Sequence, residues 1–377
     1  MPRIASYHAR SMSRRSPPRP VPAVPARRPR RGPPSSTTKR SSAPDRAAVA
    51  LAESAATRRL ARCRDALAAC RYASAELHAR AAVRHAGALP AGGDVPWMAE
   101  GALGTTLRVV ARYAEAAVHL RRAVRLARSA GPLALASAKN ALGMLYKYTG
   151  RWSDAARLYR EALAALEAIH GPRDAHLAPI LHNLGGLEHA RGRFAHGAVY
   201  ARRGLAIREC ALDRDDVRVA IDAGALGALL LGQGKLAEAE RLCRRALAVF
   251  ERTYGPYHLE IAVACNNLGA IADRRNRNSE AQVFYRRALR IKLRLLGPTH
   301  PDVAITCNNL AVVADKIGCT AEARRLYLRA LAALERAYGP RHRLTRQCRA
   351  NLERLPPVER RVRATAPATR TRAKWAE

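Results

Sequence analysis

Asn183, Asn267 and Asn309 occupy one position of a pattern that repeats every 42 residues, and Arg274 and Lys316 follow the last two by seven. An asparagine side chain carries one acceptor and two donors, matching a peptide unit, while Arg and Lys hold carboxylates. A spacing of seven returns to the same face of a helix, so amides and cations alternate along one surface. Asn140 and Lys147 lie close to the same register in an earlier copy, where Ala141 replaces the asparagine, as Ala225 does in a middle copy. This is the chemistry of holding another chain, although such an amide can equally bond a neighbouring helix.

Catalytic patterns do not emerge. Gly-Gln-Gly-Lys at 232–235 lacks the earlier glycine of a phosphate loop, because position 229 is Leu, and no Ser or Thr follows Lys235. There is no His-Glu-x-x-His. His258, His300 and His342 recur once per repeat, too far apart to chelate together, and a structural role in the connection is expected of them. The eight cysteines include no Cys-x-x-Cys, and Cys265 and Cys307 share one repeat position, which fits small buried thiols in a reducing compartment. No cofactor, metal or catalytic residue is expected.

The elements that position these groups follow from the period. Gly143, Gly185, Gly227, Gly269 and then Ala311 mark equivalent points, each preceded by Leu. Twelve residues on stand Ala155, Gly197, Ala239, Ala281 and Ala323, and nineteen on Ala162, Gly204, Ala246, Ala288 and Ala330. Small residues at these points let two helix backbones approach, with Tyr159, Tyr285 and Tyr327 filling the space beside them. Seven residues after the first mark come Gly150, Gly192, Gly234, Asn276 and Gly318, residue types that accept a left-handed backbone where a helix stops. Gly-Pro at 171, 255, 297 and 339 closes four copies, whereas Asp213-Arg214 stands in another. Each unit reads as a helical hairpin that buries its faces only against neighbouring copies.

Leu142, Gly143 and Tyr146, then Ala155, Tyr159, Ala162 and the closing Pro172, resemble the tetratricopeptide repeat. The ordinary repeat is about 34 residues long. The 42-residue period, with Asn-Asn-Leu-Gly, Tyr-Arg-Arg-Ala-Leu and Gly-Pro-Thr-His-Pro-Asp, resembles the long variant of kinesin light chains and their bacterial relatives. The resemblance implies an all-α, right-handed α-α superhelix, here of about six hairpins. It also implies that the asparagine position faces the concave groove and can bond the backbone of an extended ligand.

The expected organisation is a disordered Pro/Arg/Ser-rich tail over 1–46, a degenerate hairpin over 47–94, the repeat array over 95–340, a capping helix over 341–356 and a basic tail over 357–377. The first 44 residues hold 10 prolines, 11 basic residues and no acid, too little apolar surface to offset ordering. An organelle-targeting role for this tail is a secondary expectation, since its prolines oppose an amphipathic helix. No secretory signal or membrane span is visible, and a cytoplasmic location is expected.

The formal net charge is +37; the 11 basic residues of the first 44 leave +26 on the rest. Only seven of 67 basic residues are Lys, a bias that explains Arg over Lys but not the shortage of acids. Such a surface attracts acidic proteins and nucleic acid at low salt. With no recognition module and 5% aromatic residues, specific nucleic-acid binding is poorly supported. The expected function is a non-catalytic scaffold or adaptor that holds an acidic, extended or helical segment of another protein in the groove. Alternatives are a nucleic-acid-associated protein using basic tails, with non-specific contacts, and an adaptor that regulates a separately encoded enzyme.

Overall fold

The computed structural model describes residues 46–90 and 92–356. The expected tails therefore lie outside the described residues, apart from Arg46, which opens the first helix. Fifteen α-helices follow one another, with no strand among the described residues. Seven hairpins pair α1 (Arg46–Ala68) with α2 (Tyr72–Ala86), α3 (Asp94–Val109) with α4 (Tyr113–Ala130), α5 (Pro132–Tyr148) with α6 (Trp152–His170), and α7 (Ala178–Ala190) with α8 (Phe194–Ala211). The series continues with α9 (Val217–Gly232) and α10 (Leu236–Tyr254), α11 (Leu259–Arg274) and α12 (Asn278–Leu296), and α13 (Pro301–Lys316) and α14 (Thr320–Tyr338), before α15 (Arg343–Glu353) covers the end. The chain is thus an α-helical solenoid of seven hairpins and a cap. The front hairpin completes the count beyond the six with a clear signature.

The close crossings have a direct steric cause. A Cβ at Gly143 would lie 2.6 Å from Cε1 of Tyr159, and one at Gly269 would lie 2.9 Å from the Tyr285 ring. At Gly227 the obstacle is the Cys243 sulfur, 2.6 Å away. In the last copy Ala311 carries a Cβ and is still fully buried beside Tyr327.

The turn inside each hairpin is left-handed, at φ 76° for Gly150, 76° for Gly192, 77° for Gly234, 58° for Asn276 and 78° for Gly318. Cys70 and Ala111 occupy the same turn in the first two hairpins at 53° and 61°, a conformation disfavoured by their Cβ atoms. Along the outer helices, ion pairs link several successive hairpins. Arg80 and Glu115 are 2.6 Å apart, Arg203 and Glu167 2.6 Å, Arg244 and Glu280 2.8 Å, and Arg287 and Glu251 2.6 Å. Many of the arginines therefore serve repeat-to-repeat contacts, each worth about 0–1 kcal/mol at such exposure.

The solenoid also touches itself. His258 caps α11, its Nδ1 accepting from the Glu260 N–H, and its Nε2 reaches the Ala68 carbonyl oxygen at 3.0 Å. His300 caps α13 in the same way and reaches the Val109 carbonyl at 2.9 Å. His342 caps α15 and lies beside Gly150, where a Cβ would be 3.8 Å from its Nε2. The turns of hairpins one, two and three thus meet the starts of hairpins six and seven and of the cap, an offset of five hairpins each time. Tyr113 and Tyr338 add a stacked pair across the same seam, with ring centroids 5.8 Å apart. Because a carbonyl only accepts and a backbone N–H only donates, Nε2 is the donor and Nδ1 the acceptor in these contacts of His258 and His300.

The cap residue changes with position. The connections before α7 and α9, which face no earlier turn among the described residues, are capped by Asp174 and Asp216, accepting from the His176 and Arg218 N–H groups. In the copies of His258 and His300 the capping histidine also reaches a second partner, a carbonyl of an earlier turn. Its structural role in the connection is therefore double.

Candidate binding groove

The asparagines form a ladder along the first helices. Asn183 donates to Asn140 Oδ1 at 2.8 Å, Asn309 to Asn266 Oδ1 at 3.4 Å, and Asn351 to Asn308 Oδ1 at 3.2 Å. Each bond runs from one hairpin to the residue one place earlier in the preceding copy. Asn183 is 5% exposed, so its amide serves packing between α5 and α7. The ladder breaks in the middle copy, where Gly224 and Ala225 carry no amide. His182, which holds the equivalent of Asn140, turns to Asp222 instead, at 2.8 Å, and Arg208 pairs with the same carboxylate at 2.5 Å. Asn267 faces the Gly224 position and forms no side-chain hydrogen bond among the described residues. It is half-buried, as is Asn309.

The cations divide similarly. Lys316 pairs with Asp273 at 2.6 Å, while Arg274 is exposed and unpaired among the described residues. Lys147 is half-buried with its Nζ 5.2 Å from the Tyr148 ring centroid, and Arg108 sits over the same ring, also at 5.2 Å. Neither has a carboxylate partner among the described residues. Burial, then the neighbouring Arg108 charge, lowers the Lys147 pKa to about 8.

These two cations line a cavity of about 490 Å³ formed where the solenoid meets itself. Asn183, His182, Tyr72 and Tyr113 also line it. Glu260 and Asp302, at the starts of α11 and α13, complete the wall, and burial raises the Glu260 pKa. The concave space is therefore positive on one side and carboxylate-bearing on the other. Both cations lie at helix C-termini and both acids in first turns, positions where the helix dipole favours their charge and partly offsets the cost of burial.

Arg108, Tyr148, Glu260 and Asp302 were not among the residues singled out by the sequence pattern, yet signals exist. Arg108 and Lys147 each stand four residues after a crossing glycine, Gly104 and Gly143, and the same column continues as His189, Leu231, Asp273 and Asp315. Charge thus reverses along the groove. Glu260 and Asp302 each stand two residues after a column histidine.

Sequence profiles of the tetratricopeptide repeat match residues 94–168, 134–209 and 219–294, and a second such profile matches 303–344. The first profile alone covers half of the chain, which therefore belongs to the tetratricopeptide repeat family, with repeats resembling those of kinesin light chains. BtubC (BKLC) from P. vanneervenii is 26% identical over 67% of this chain and 94% of its own, with a TM-score of 0.42. A Rap protein complexed with Competence and Sporulation Factor is similar in fold at 14% identity, covering 79% of this chain and 86% of that one, with a TM-score of 0.58. The Rap conjugation gene regulator of plasmid pLS20, in complex with the Phr* peptide, gives 15% identity, 74% and 73% coverage, and a TM-score of 0.59. No curated protein matches the sequence. No helix among the described residues is long and apolar enough to cross a membrane.

Proposed function

We propose that this protein is a non-catalytic adaptor that holds a segment of another protein inside the solenoid. The observation that carries this reading is the pair Lys147 and Arg108, half-buried around Tyr148 and lacking any carboxylate partner among the described residues. A charged amine whose pKa is depressed by burial gains more from a bound carboxylate than an exposed one does. An acidic side chain or chain terminus entering the cavity supplies that partner. Glu260 and Asp302 on the opposite wall favour a segment with a basic or amide group beyond its acid, which narrows the expected acidic ligand to one of mixed charge. The two Rap structures, each in complex with a peptide or factor by its own description, support a solenoid of this kind as a peptide holder.

Asn267 is the amide best placed to bond the ligand backbone, since Asn183 and Asn309 already bond neighbouring helices. Arg274, two turns beyond it, extends the surface. Residues Asn140 and Lys316 act through the contacts they make to Asn183 and Asp273.

Affinity capture from nuclease-treated source lysate at physiological salt tests this, comparing the full chain with Asn267→Ala and with Arg108→Gln/Lys147→Met. A protein retained by the wild type and lost from both variants supports the reading. Retention by all three, or recovery only when nuclease is omitted, overturns it; the second result favours nucleic-acid binding through the +37 charge, whose affinity falls steeply with salt.

A further inference from the structure

The connection between α6 and α7 carries an arrangement that the repeat does not require. In the later copies a histidine caps the next helix and an acid follows two residues on, as in His258 with Glu260 and His300 with Asp302. Here the order is inverted, with Asp174 as cap and His176 two residues later. His170, at the end of α6, replaces the Tyr254, Leu296 and Tyr338 of other copies. Among the described residues neither imidazole of this connection bonds a backbone carbonyl, unlike those of His258 and His300.

The three side chains converge. One ligand atom from each of His170, Asp174 and His176 lies within 4.8 Å of the others, and the two imidazole rings stack 4.8 Å apart at 17°. His176 Nδ1 is 2.7 Å from Asp174 Oδ1. The Asp174 carboxyl is held below the usual carboxylate range by the His176 backbone N–H and then by its ring. His170 lies at the negative end of the α6 dipole, which favours a cation. Of the nearby guanidiniums, Arg203 is committed to Glu167 and the Pro172 carbonyl, and Arg173 is exposed.

We propose that His170, Asp174 and His176 bind one borderline divalent transition-metal ion, of the Zn²⁺, Ni²⁺ or Co²⁺ class. Two imidazoles and a carboxylate suit these ions better than Mg²⁺ or Ca²⁺, which prefer oxygen. Bonds of about 2.0–2.2 Å require the ligand atoms to draw together, and both rings are exposed at the surface, where little packing opposes that movement. Three protein ligands leave at least one coordination position open, for water or for a donor atom of a bound partner. The bound ion ties the end of hairpin three to the start of hairpin four. Sequence inspection for Cys-x-x-Cys and His-Glu-x-x-His does not detect a His-x3-Asp-x-His spacing.

The test titrates Zn²⁺, Ni²⁺ and Co²⁺ into the full chain under reducing conditions, by calorimetry and by Co²⁺ absorption, with His170→Ala and His176→Ala alongside. Circular dichroism verifies that these exposed substitutions leave the helices intact. The expected result is one equivalent bound at micromolar affinity, weakened at least about tenfold in each variant, and lost on acidification as the imidazoles protonate. Equal binding by wild type and variants overturns the proposal, as does the absence of binding at about 0.1 mM metal, well above a micromolar Kd. A thiolate charge-transfer band from Co²⁺ that persists in both variants also overturns it, by placing the ion on cysteine.

Discussion

The Nε2 of His300 lies 2.9 Å from the carbonyl oxygen of Val109, 191 residues earlier in the chain. The same ring caps α13 through its other nitrogen. One imidazole thus starts a helix and fastens it to the turn of a hairpin five units away. Replacing His300 by Ala removes both bonds and is expected to destabilise by about 2 kcal/mol, summing a helix cap and a hydrogen bond of about 1 kcal/mol each. His300→Asn retains the cap, as Asp174 and Asp216 do in their copies, and should lose only about half as much. Denaturant unfolding measures both, and an increased radius of gyration by X-ray scattering is expected of each.

Acidification should act on the same seam. Burial, followed by the Arg343 charge, lowers the His342 pKa below its ordinary 6.5. The neutral folded ring therefore contributes stability that is present above pH 6.5 and lost as pH falls through the depressed folded value. Histidine NMR titration should place the His342 midpoint below 6.5, and an unshifted midpoint would contradict this.

Lys147 gives a second pH dependence with its own window. Its folded pKa of about 8 lies below the ordinary 10.5, so the native state releases the proton first. Stability from this group is complete above about 10.5 and declines as pH falls to about 8, by at most about 3 kcal/mol. The difference in unfolding free energy between wild type and Lys147→Met should shift in that direction between pH 8 and 10. At pH 7 the Met variant should be the more stable of the two, and weaker in binding an acidic segment.

Close packing at the hairpin crossing predicts opposite effects for two neighbours. Gly143→Ala forces a Cβ to within 2.6 Å of Tyr159, whose ring is fully buried, and should destabilise by about 1–3 kcal/mol. The Tyr159 hydroxyl is buried without a hydrogen-bond partner among the described residues. Tyr159→Phe should therefore be neutral or stabilising, by up to about 1 kcal/mol. Thermal unfolding of the two variants checks the pair.

Ala111 occupies the left-handed turn that glycine or asparagine fills in later hairpins. Ala111→Gly relieves about 1–2 kcal/mol of backbone strain and adds about 0.4–1 kcal/mol of unfolded-state entropy. A net stabilisation of about 0.5–1 kcal/mol is expected, read from the urea midpoint.

Much of this fold was legible because its signals are local. The glycine at the crossing and the left-handed residue seven places later each report one steric requirement of one hairpin, so Gly143 and Gly150 suffice to place the helices. Gly131-Pro132 closes a copy as well, with φ 113° at Gly131, but its shorter spacing took it out of the 42-residue register. The groove was less legible, since the asparagine column can serve either a ligand or a neighbouring helix. The residue one place earlier in the preceding copy decides which: Asn140 captures Asn183, whereas Gly224 offers Asn267 no side-chain partner. The cavity could not be read at all, because Lys147 and Asp302 meet only through the pitch of the superhelix, a property of many small inter-hairpin angles.

In a repeat array whose units touch only their neighbours, stretching the ends opens each joint a little, and the chain behaves as a soft spring. The histidine seam changes that response. His258, His300 and the Tyr113–Tyr338 pair couple the first coil to the second, so small extensions load these contacts before any joint flexes. Resistance should be high at first and fall once the seam parts, and a ligand confined between the coils would be released by tension at that point, without any hairpin unfolding.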